Sequence, residues 1–351
     1  MSVFEAQFKS IEISEEQVIH LLQQMDEACL MDSPRYWEFK EAQVATFKAA
    51  RVREPAHAGA SYSENPADLK QVIDGFFQSP DGPGNGQRKT RSVPLRGLIA
   101  PHIDFNRGGP CFAWAYRELV EAPMPDLFIV LGTGHSATSP FVLSTKDFNT
   151  PFGTVKADQE FIGRLMKHYS SQDLLDDEFA HREEHSIEFQ AVFLKYLFPD
   201  QDISFVPVLC GSFHEMVVAQ ESPMKVPVIA EFVEALKQSL AEDSREVCFI
   251  AGVDFSHVGA RFGDEEKLSD AFIEGVERSD RELLNAAGDV DAERFFDVVI
   301  RECDRTRVCG TSSIYTMLHA LEADRGKLLK YDKAVDLEAQ SLVSFASMAF
   351  Y

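Results

Sequence analysis

Five short apolar runs that alternate with helical stretches most constrain the fold of this chain. Each run is nearly continuous in apolar residues, which is typical of strands covered on both faces and so of parallel sheets flanked by helices. The runs are LRGLIAPH (95–102), DLFIVLGTGH (126–135), FVLST (141–145), ISFVPVLCG (203–211) and EVCFIAGVDFSH (246–257). The helical stretches lie near 109–120, 158–168, 187–197, 226–241, 265–287, 292–302 and 311–323. We therefore predict a layered α/β domain with a mostly parallel central sheet flanked by helices.

The two ends of the chain differ from this pattern. Residues 14–30 carry apolar side chains at helical spacing after a Ser-x-x-Gln sequence that resembles a capping box, and residues 36–50 predict a second helix. We therefore assign residues 1–50 to an N-terminal helical extension and residues 51–351 to the α/β domain. The final segment, QSLVSFASMAFY (340–351), alternates in a way that predicts a half-buried strand.

Charge and composition narrow the class of protein. The 34 Lys and Arg residues against 57 Asp and Glu give a formal charge of −23, which disfavours binding to nucleic-acid phosphates and anionic membranes. The N-terminus lacks the features of a signal peptide, and the longest apolar runs are far shorter than the roughly 20 residues of a membrane helix. The six cysteines show no CxxC spacing and predict reduced thiols. We therefore expect a cytoplasmic protein that binds neither nucleic acid nor membranes.

Three histidines follow predicted strands at the edge where α/β sheets bind ligands. His102 ends GLIAPH, His135 ends FIVLGTGH, and His257 ends FIAGVDFSH, with Asp254 three residues before it. A fourth, His185, lies at the start of a predicted helix. Because the carboxyl ends of parallel strands meet at one edge, we expect these side chains to converge. Neutral imidazoles beside a carboxylate suit a transition metal, although any one of these histidines alone is more easily explained as structural.

Two further patterns leave alternatives open. Cys309 precedes a predicted helix, whose N-terminus would stabilise a thiolate, but simple packing beneath the helix is an equal alternative. The segment from His181 to His185 reads H-R-E-E-H, which matches the H-x-x-E-H pattern of a zinc peptidase with Glu184 as general base. A solvated acidic helix entry explains the same residues more simply.

Eight short motifs are spread along the second part of the chain. They are PAHAGASY (55–62), IAPHIDF (99–105), LGTGHS (131–136), TPFGTV (150–155), EEHSIEFQ (183–190), VPVLCG (206–211), VDFSH (253–257) and CGTSSI (309–314). They occur in the order seen in the Memo family, and residues 51–351 resemble its bacterial members, called AmmeMemoRadiSam system protein B. The resemblance implies a fold similar to that of LigB-type extradiol dioxygenases, which are non-haem iron enzymes. It also implies AMME-domain and radical SAM proteins as partners.

The resemblance assigns roles to the candidate residues. His102 and His135 fall on the two histidine ligand positions, and Cys309 falls where the dioxygenases carry a carboxylate ligand. His257 falls on the position of the catalytic acid–base histidine. Asp254 and His185 match other polar positions of the cleft and are candidate catalytic residues. A thiolate in place of a carboxylate shifts the metal preference from iron towards copper or zinc.

The favoured hypothesis is metal-dependent redox chemistry, similar to that of dioxygenases, on an unidentified small molecule. Iron or copper is the expected metal, with zinc as an alternative. His257 would move protons and Asp254 would orient it. The alternatives are a non-catalytic metal-binding or adaptor protein and, as a minor one, the zinc peptidase.

Overall fold

The computed structural model describes residues 14–84 and 92–351. The described residues form two compact units that divide after Ala50. Residues 1–13 of the predicted helical extension lie outside the described part of the chain. Among the helices that are described, none is both long enough and apolar enough to cross a membrane.

Within the described residues 14–50, the N-terminal unit contains two helices. Helix α1 spans Glu15–Glu27 and helix α2 spans Pro34–Ala49. The Ser14 hydroxyl accepts a hydrogen bond from the Gln17 backbone N–H, and the Gln17 side chain accepts one from the Ser14 N–H. The capping box predicted from the sequence is therefore present and fixes where α1 begins.

The second unit is built on one sheet that contains eleven strands within the described residues. The strands are β1 (Val52–Arg53), β2 (Gly97–Ala100), β3 (Leu127–Thr133), β4 (Phe141–Leu143), β5 (Asp147–Thr150), β6 (Gly153–Ala157), β7 (Ser204–Cys210), β8 (Val247–Gly252), β9 (His257–Val258), β10 (Gly326–Asp336) and β11 (Ser341–Phe350). The helices are α3 (Pro66–Gln78), α4 (Phe105–Glu121), α5 (Gln159–His168), α6 (His185–Leu197), α7 (His214–Ala219), α8 (Pro227–Ala241), α9 (Asp270–Gly288), α10 (Ala292–Arg301) and α11 (Thr311–Ala320).

Five parallel strands form the centre of the sheet, in the order β6-β7-β3-β8-β2. Beyond β6 lie β5 and then β1, and beyond β2 lie the antiparallel strands β11 and β10. The short strands β4 and β9 pair with β7 and β11 outside this path. The predicted α/β class with a mostly parallel central sheet is confirmed.

The register of the central strands aligns their carboxyl ends. Ala100 pairs with Gly252, and Gly252 pairs with Gly132. Next to them, Thr133 pairs with Cys210. The segments that follow β2, β3 and β8 therefore leave the sheet side by side, as the strand-end histidines predicted.

The C-terminal hairpin differs from the prediction. All ten residues of β11 are buried, because β11 lies between β2 and β10 and helix α4 packs against it. The expectation of a half-buried strand is therefore wrong. Strand β10 was not predicted, and all of its residues are at least partly exposed, which explains why its sequence lacks an apolar run.

Helix α6 begins directly against the carboxyl edge of the sheet. A Cβ atom on Gly132 would lie 2.5 Å from the Ser186 hydroxyl and 2.5 Å from Cγ1 of Ile187. A Cβ atom on Gly252 would lie 2.5 Å from the Ser186 carbonyl oxygen and 2.8 Å from Nε2 of Gln190. Glycine at these two positions lets the first turn of α6 cover the ends of β3 and β8.

We expect Gly252→Ala to destabilise the protein by about 1–3 kcal/mol, because the new methyl group collides with backbone and cannot move away. Gly163→Ala is the matched control: a Cβ atom there meets nothing within 4 Å inside helix α5. This second change should be neutral or stabilise the protein by up to about 1 kcal/mol. Urea unfolding of both variants measures the difference, and equal stabilities would contradict the close approach of α6.

Candidate metal centre

Three histidines form a compact group at the carboxyl edge of the sheet. The ring centroids of His102, His135 and His185 are 5.1 Å (102–135), 5.0 Å (102–185) and 5.1 Å (135–185) apart. One ligand nitrogen of each ring lies within 4.8 Å of those of the other two. His102 and His135 follow β2 and β3, as expected, whereas His185 is the first residue of α6. The third imidazole of the group therefore comes from the helix that covers the edge and not from the strand-end histidine His257.

An acceptor lies beside the Nδ1 atom of each of these rings. His102 Nδ1 donates to the Gly252 carbonyl oxygen at 3.0 Å. His135 Nδ1 lies 3.0 Å and 3.1 Å from the two carboxylate oxygens of Glu184, and His185 Nδ1 lies 3.3 Å from one of them. Since these oxygens are acceptors, Nδ1 carries a proton in each ring, and whenever the ring is neutral its Nε2 atom keeps the lone pair. Metal-binding histidines are held in this way, so the group fits a metal ion.

Glu184 has a different role from the general base of the peptidase hypothesis. It caps helix α6 by accepting from the Ser186 N–H at 3.0 Å, and it also accepts from the His135 N–H at 3.2 Å. Burial disfavours its charge, but the hydrogen bond and charge of His135 outweigh this and hold the pKa of Glu184 well below its usual range. Glu184 is therefore an anion that orients His135 and His185.

The three imidazoles differ in their protonation. Burial, together with the charges of the other two rings, holds the pKa of His102 well below its usual value. Burial also lowers the pKa of His185 to about 4, although Glu184 opposes this. Burial of His135 favours the neutral ring too, but Glu184 outweighs it and raises the pKa of His135. Two of the three rings are therefore neutral near pH 7, which is the form that binds metals.

Cys309 places a sulfur atom beside this group. Its Sγ atom lies 3.3 Å from Nε2 of His102 and donates to the Asp254 carbonyl oxygen at 3.3 Å. Burial, and then the charge of Asp254, raise the pKa of the Cys309 thiol well above its usual value. Of the two alternatives left open for Cys309, the thiolate is thus disfavoured by burial.

Asp254 supports the turn that carries His102. Its Oδ1 atom accepts from the backbone N–H groups of His102 at 3.0 Å and Ile103 at 3.2 Å. Its other oxygen, Oδ2, lies 3.7 Å from Nε2 of His102. Complete burial raises the pKa of Asp254 to about 7, so this carboxyl group can hold a proton near neutral pH.

His257 lies apart from the three-histidine group, in the short strand β9. Its Nδ1 atom donates to the Phe255 carbonyl oxygen at 3.1 Å, the backbone of Arg307 is a second hydrogen-bond partner of the ring, and the ring packs edge-on against Phe262. The expectation that Asp254 orients His257 is therefore wrong, since a backbone carbonyl does so. Burial lowers the pKa of His257. A cavity of about 400 Å³ is lined by His257 together with His135 and Cys309.

His181 does not join the site. It ends a 3₁₀ turn (Glu178–His181), it is buried, and its Nε2 donates to the Val142 carbonyl oxygen at 3.0 Å. Helix α6 begins only at His185, so the two histidines of the H-x-x-E-H pattern do not share a helix. The zinc-peptidase hypothesis is wrong, because its metal site requires that shared face.

A buried ion pair that the sequence analysis missed holds this segment in place. The Arg53 guanidinium pairs with the Glu188 carboxylate, and both side chains are 1% exposed. Arg53 also donates through Nε to the His181 carbonyl and through Nη2 to the Glu184 carbonyl, each at 3.0 Å. The carbonyl groups on both sides of the turn that leads into α6 are thus held by one arginine.

Glu188 is held equally tightly from the PAHAGASY segment. Its carboxylate accepts from the Tyr62 hydroxyl and from the backbone N–H groups of Ala56 and His57, the latter two at 3.0 Å each. The His57 ring donates through Nε2 to the Glu183 carbonyl at 2.9 Å. Only the occurrence of both PAHAGASY and EEHSIEFQ among the ordered motifs hinted at this contact, since the residues are far apart in sequence.

The fold and the site define an α/β protein with a group of imidazoles and a thiol at the carboxyl edge of a parallel sheet. Residues 53–349 match the profile of a family described as Memo-like protein. The chain is 30% identical over 344 residues to a MEMO1 family protein of Aquifex aeolicus, which covers 97% of this chain and 83% of that protein. It is also 29% identical over 307 residues to a MEMO1 family protein of Methanopyrus kandleri, and this match covers 85% of this chain and 98% of that protein. The chain therefore belongs to the Memo family, and the resemblance is confirmed.

We expect Arg53→Met to destabilise the protein by about 3–5 kcal/mol, because it leaves the Glu188 carboxylate buried without its cation. Lys70→Met removes the exposed ion pair with Asp74 and is the control, which should change stability by no more than about 0.5 kcal/mol. Urea unfolding of both variants tests this. A loss for Arg53→Met as small as that of the control would show that the buried pair is not needed.

The burial of His181 predicts a loss of stability in acid. Burial lowers its pKa to about 4, whereas the unfolded chain binds this proton near pH 6.5. Below about pH 6.5 the unfolded state therefore gains protons that the folded state does not, and stability falls as the pH falls towards 4.

We expect this loss between pH 8 and pH 4 to be smaller in His181→Gln than in the unchanged protein, by an amount on the order of 3 kcal/mol. The exposed His214 gives the control variant His214→Gln, which should retain the full loss. Urea unfolding at a series of pH values measures both. Parallel curves for all three proteins would contradict a buried, neutral His181.

Proposed function

We propose that the protein binds a transition-metal ion through His102, His135, His185 and Cys309 and uses it for redox chemistry on a small molecule. The observation that carries the proposal is the convergence of three imidazoles whose Nδ1 atoms all face acceptors. Histidines that serve only to pack the core have no need for ligand nitrogens that lie within 4.8 Å of one another. The Cys309 sulfur, 3.3 Å from His102 Nε2, supplies a fourth donor.

The chemistry of the four donor atoms restricts which metal ions this site can bind. Imidazole and thiolate ligands suit iron, copper and zinc, and disfavour magnesium and calcium, which take oxygen ligands. Because the Cys309 thiol donates to the Asp254 carbonyl, its proton must leave before the sulfur can act as a ligand. Iron or copper is the metal that fits the proposed redox chemistry, since zinc has no redox chemistry of its own.

The remaining residues have roles that follow from their contacts. A bound iron or copper ion would supply electron transfer. Glu184 holds the rings of His135 and His185 in the orientation and tautomer that a metal requires. His257 lines the cavity, and because burial lowers its pKa its ring is suited to accept or donate a proton there. Asp254 fixes the backbone of His102, whereas the ring of His257 is held by the Phe255 carbonyl.

Anaerobic titration of tag-free protein with Co(II) tests the proposal, because Co(II) bound to a thiolate gives a charge-transfer absorption band. We expect binding of one ion per chain with this band. Cys309→Ser should bind Co(II) without the band, which separates the sulfur ligand from the imidazoles. Glu184→Gln should weaken binding by roughly 10–100-fold, since it loosens two ligand rings.

The control is His20→Ala, which should bind Co(II) like the unchanged protein because this exposed side chain of helix α1 is not among the four donors. Iron and copper contents of protein isolated anaerobically then identify the natural metal. If the variant carrying both His102→Ala and His135→Ala bound Co(II) as tightly as the unchanged protein, the site would be wrong.

A further inference from the structure

The cavity beside the candidate metal centre is lined by chemically different sets of side chains. One set contains the donor residues His135 and Cys309, together with His257. A second set is apolar and contains Phe213, Val217, Phe262 and Val308, and the uncharged or weakly basic side chains of Thr133, Ser212, His214, Thr311 and Ser312 also line the cavity. A volume of about 400 Å³ lies within the range of small-molecule sites in proteins.

The apolar part is largely preformed. Phe213, Val217 and Val308 are between 2% and 5% exposed, so their positions are fixed by packing. Phe262 is half-buried, and its ring stands at 87° to the His257 ring with the centroids 5.3 Å apart. Such a surface favours a ligand with an apolar body, because binding then removes apolar surface of both the ligand and the cavity from water.

The charged groups at the cavity do not favour an anionic body. Arg307 is the one lysine or arginine that lines this cavity, and its guanidinium pairs with the Asp264 carboxylate. The same guanidinium donates to the His257 carbonyl at 2.9 Å. Asp304 adds a carboxyl group to the lining. A phosphate ester would therefore meet no uncompensated lysine or arginine here.

We infer that this cavity binds the substrate, and that the substrate is a small molecule with a metal-chelating oxygen group at one end and an uncharged apolar body at the other. The oxygen group lies at the His135 and Cys309 end, and the body lies against Phe213, Val217 and Phe262. This inference rests on the proposed metal binding, and it adds the class of molecule and the residues that select it.

Two hydroxamates test this selection on Zn(II)-loaded protein. Acetohydroxamate and benzohydroxamate share the same chelating group and charge and differ in the body, a methyl group against a phenyl ring. Isothermal titration calorimetry gives both affinities. We expect benzohydroxamate to bind at least about tenfold more tightly, because its ring removes apolar surface from water.

Matched variants locate the preference. Phe262→Ala should weaken benzohydroxamate at least about fivefold and leave acetohydroxamate within about twofold, because only the ring contacts this side chain. Phe272→Ala, which removes an equally half-buried ring that does not line the cavity, should change neither. Val217→Phe should fill the cavity and exclude benzohydroxamate, whereas Val218→Phe, at a neighbouring position that is 69% exposed, should not.

The outcomes separate this inference from the proposed function. If Zn(II) is not retained by the protein, the metal site itself is overturned. If Zn(II) is retained and the two hydroxamates bind equally, the metal site stands and the apolar selection is wrong. The apolar selection by these residues is also wrong if benzohydroxamate binds more tightly but Phe262→Ala and Val217→Phe do not change its affinity, because the phenyl ring then lies elsewhere.

Discussion

The buried ion pair between Arg53 and Glu188 is the interaction on which the site depends. The two residues are 135 positions apart, and their contact joins strand β1 to helix α6. Removing two charges from water costs several kcal/mol per ion, and this cost is recovered only where the remaining hydrogen-bonding groups are also satisfied. Arg53 meets this condition through two backbone carbonyl groups, and Glu188 meets it through two backbone N–H groups and the Tyr62 hydroxyl. Few arrangements satisfy all of these groups, so the turn before α6 has little freedom.

This restriction matters because the turn carries Glu184 and His185. A metal site needs its ligands oriented to within a fraction of an ångström, and loops rarely give such precision without support. Here one carboxylate orients two imidazoles, and the arginine holds the carbonyl of the same glutamate. Burial keeps His102 and His185 neutral and keeps the Cys309 thiol protonated. Among the three imidazoles only His135 has a raised pKa, and the anionic Glu184 beside it is the cause.

Much of the fold could be predicted from the sequence, because buried parallel strands are encoded by nearly continuous runs of apolar residues. The runs that became β2, β3 and β8 also placed His102 and His135 correctly, since the end of a strand fixes where the next residues go. His185 was predicted to lie in the cleft but not among the metal ligands, because its approach to His102 and His135 depends on where α6 rests on the sheet. That contact is non-local and rests on the absence of side chains at Gly132 and Gly252. For the H-x-x-E-H pattern the sequence was a better guide, since the helix was predicted near 187–197 and the structure begins α6 at His185, which leaves His181 in the preceding 3₁₀ turn.

The contacts also explain why motifs without a metal donor accompany those that contain one. PAHAGASY supplies none of the four proposed ligands, yet its Tyr62 hydroxyl and two of its N–H groups hold Glu188, one turn along the helix from His185. Part of the cavity wall comes from segments that carry no proposed ligand, namely those around Phe213 and Phe262, whereas Val308 directly precedes the proposed ligand Cys309. The segments around Phe213 and Phe262 can change without disturbing the imidazole ligands, since His102 and His135 are fixed by the sheet edge and His185 is fixed by α6. The fold therefore separates the residues that would hold a metal from those that would choose its substrate, and substitutions in the second set can alter specificity while the metal site persists.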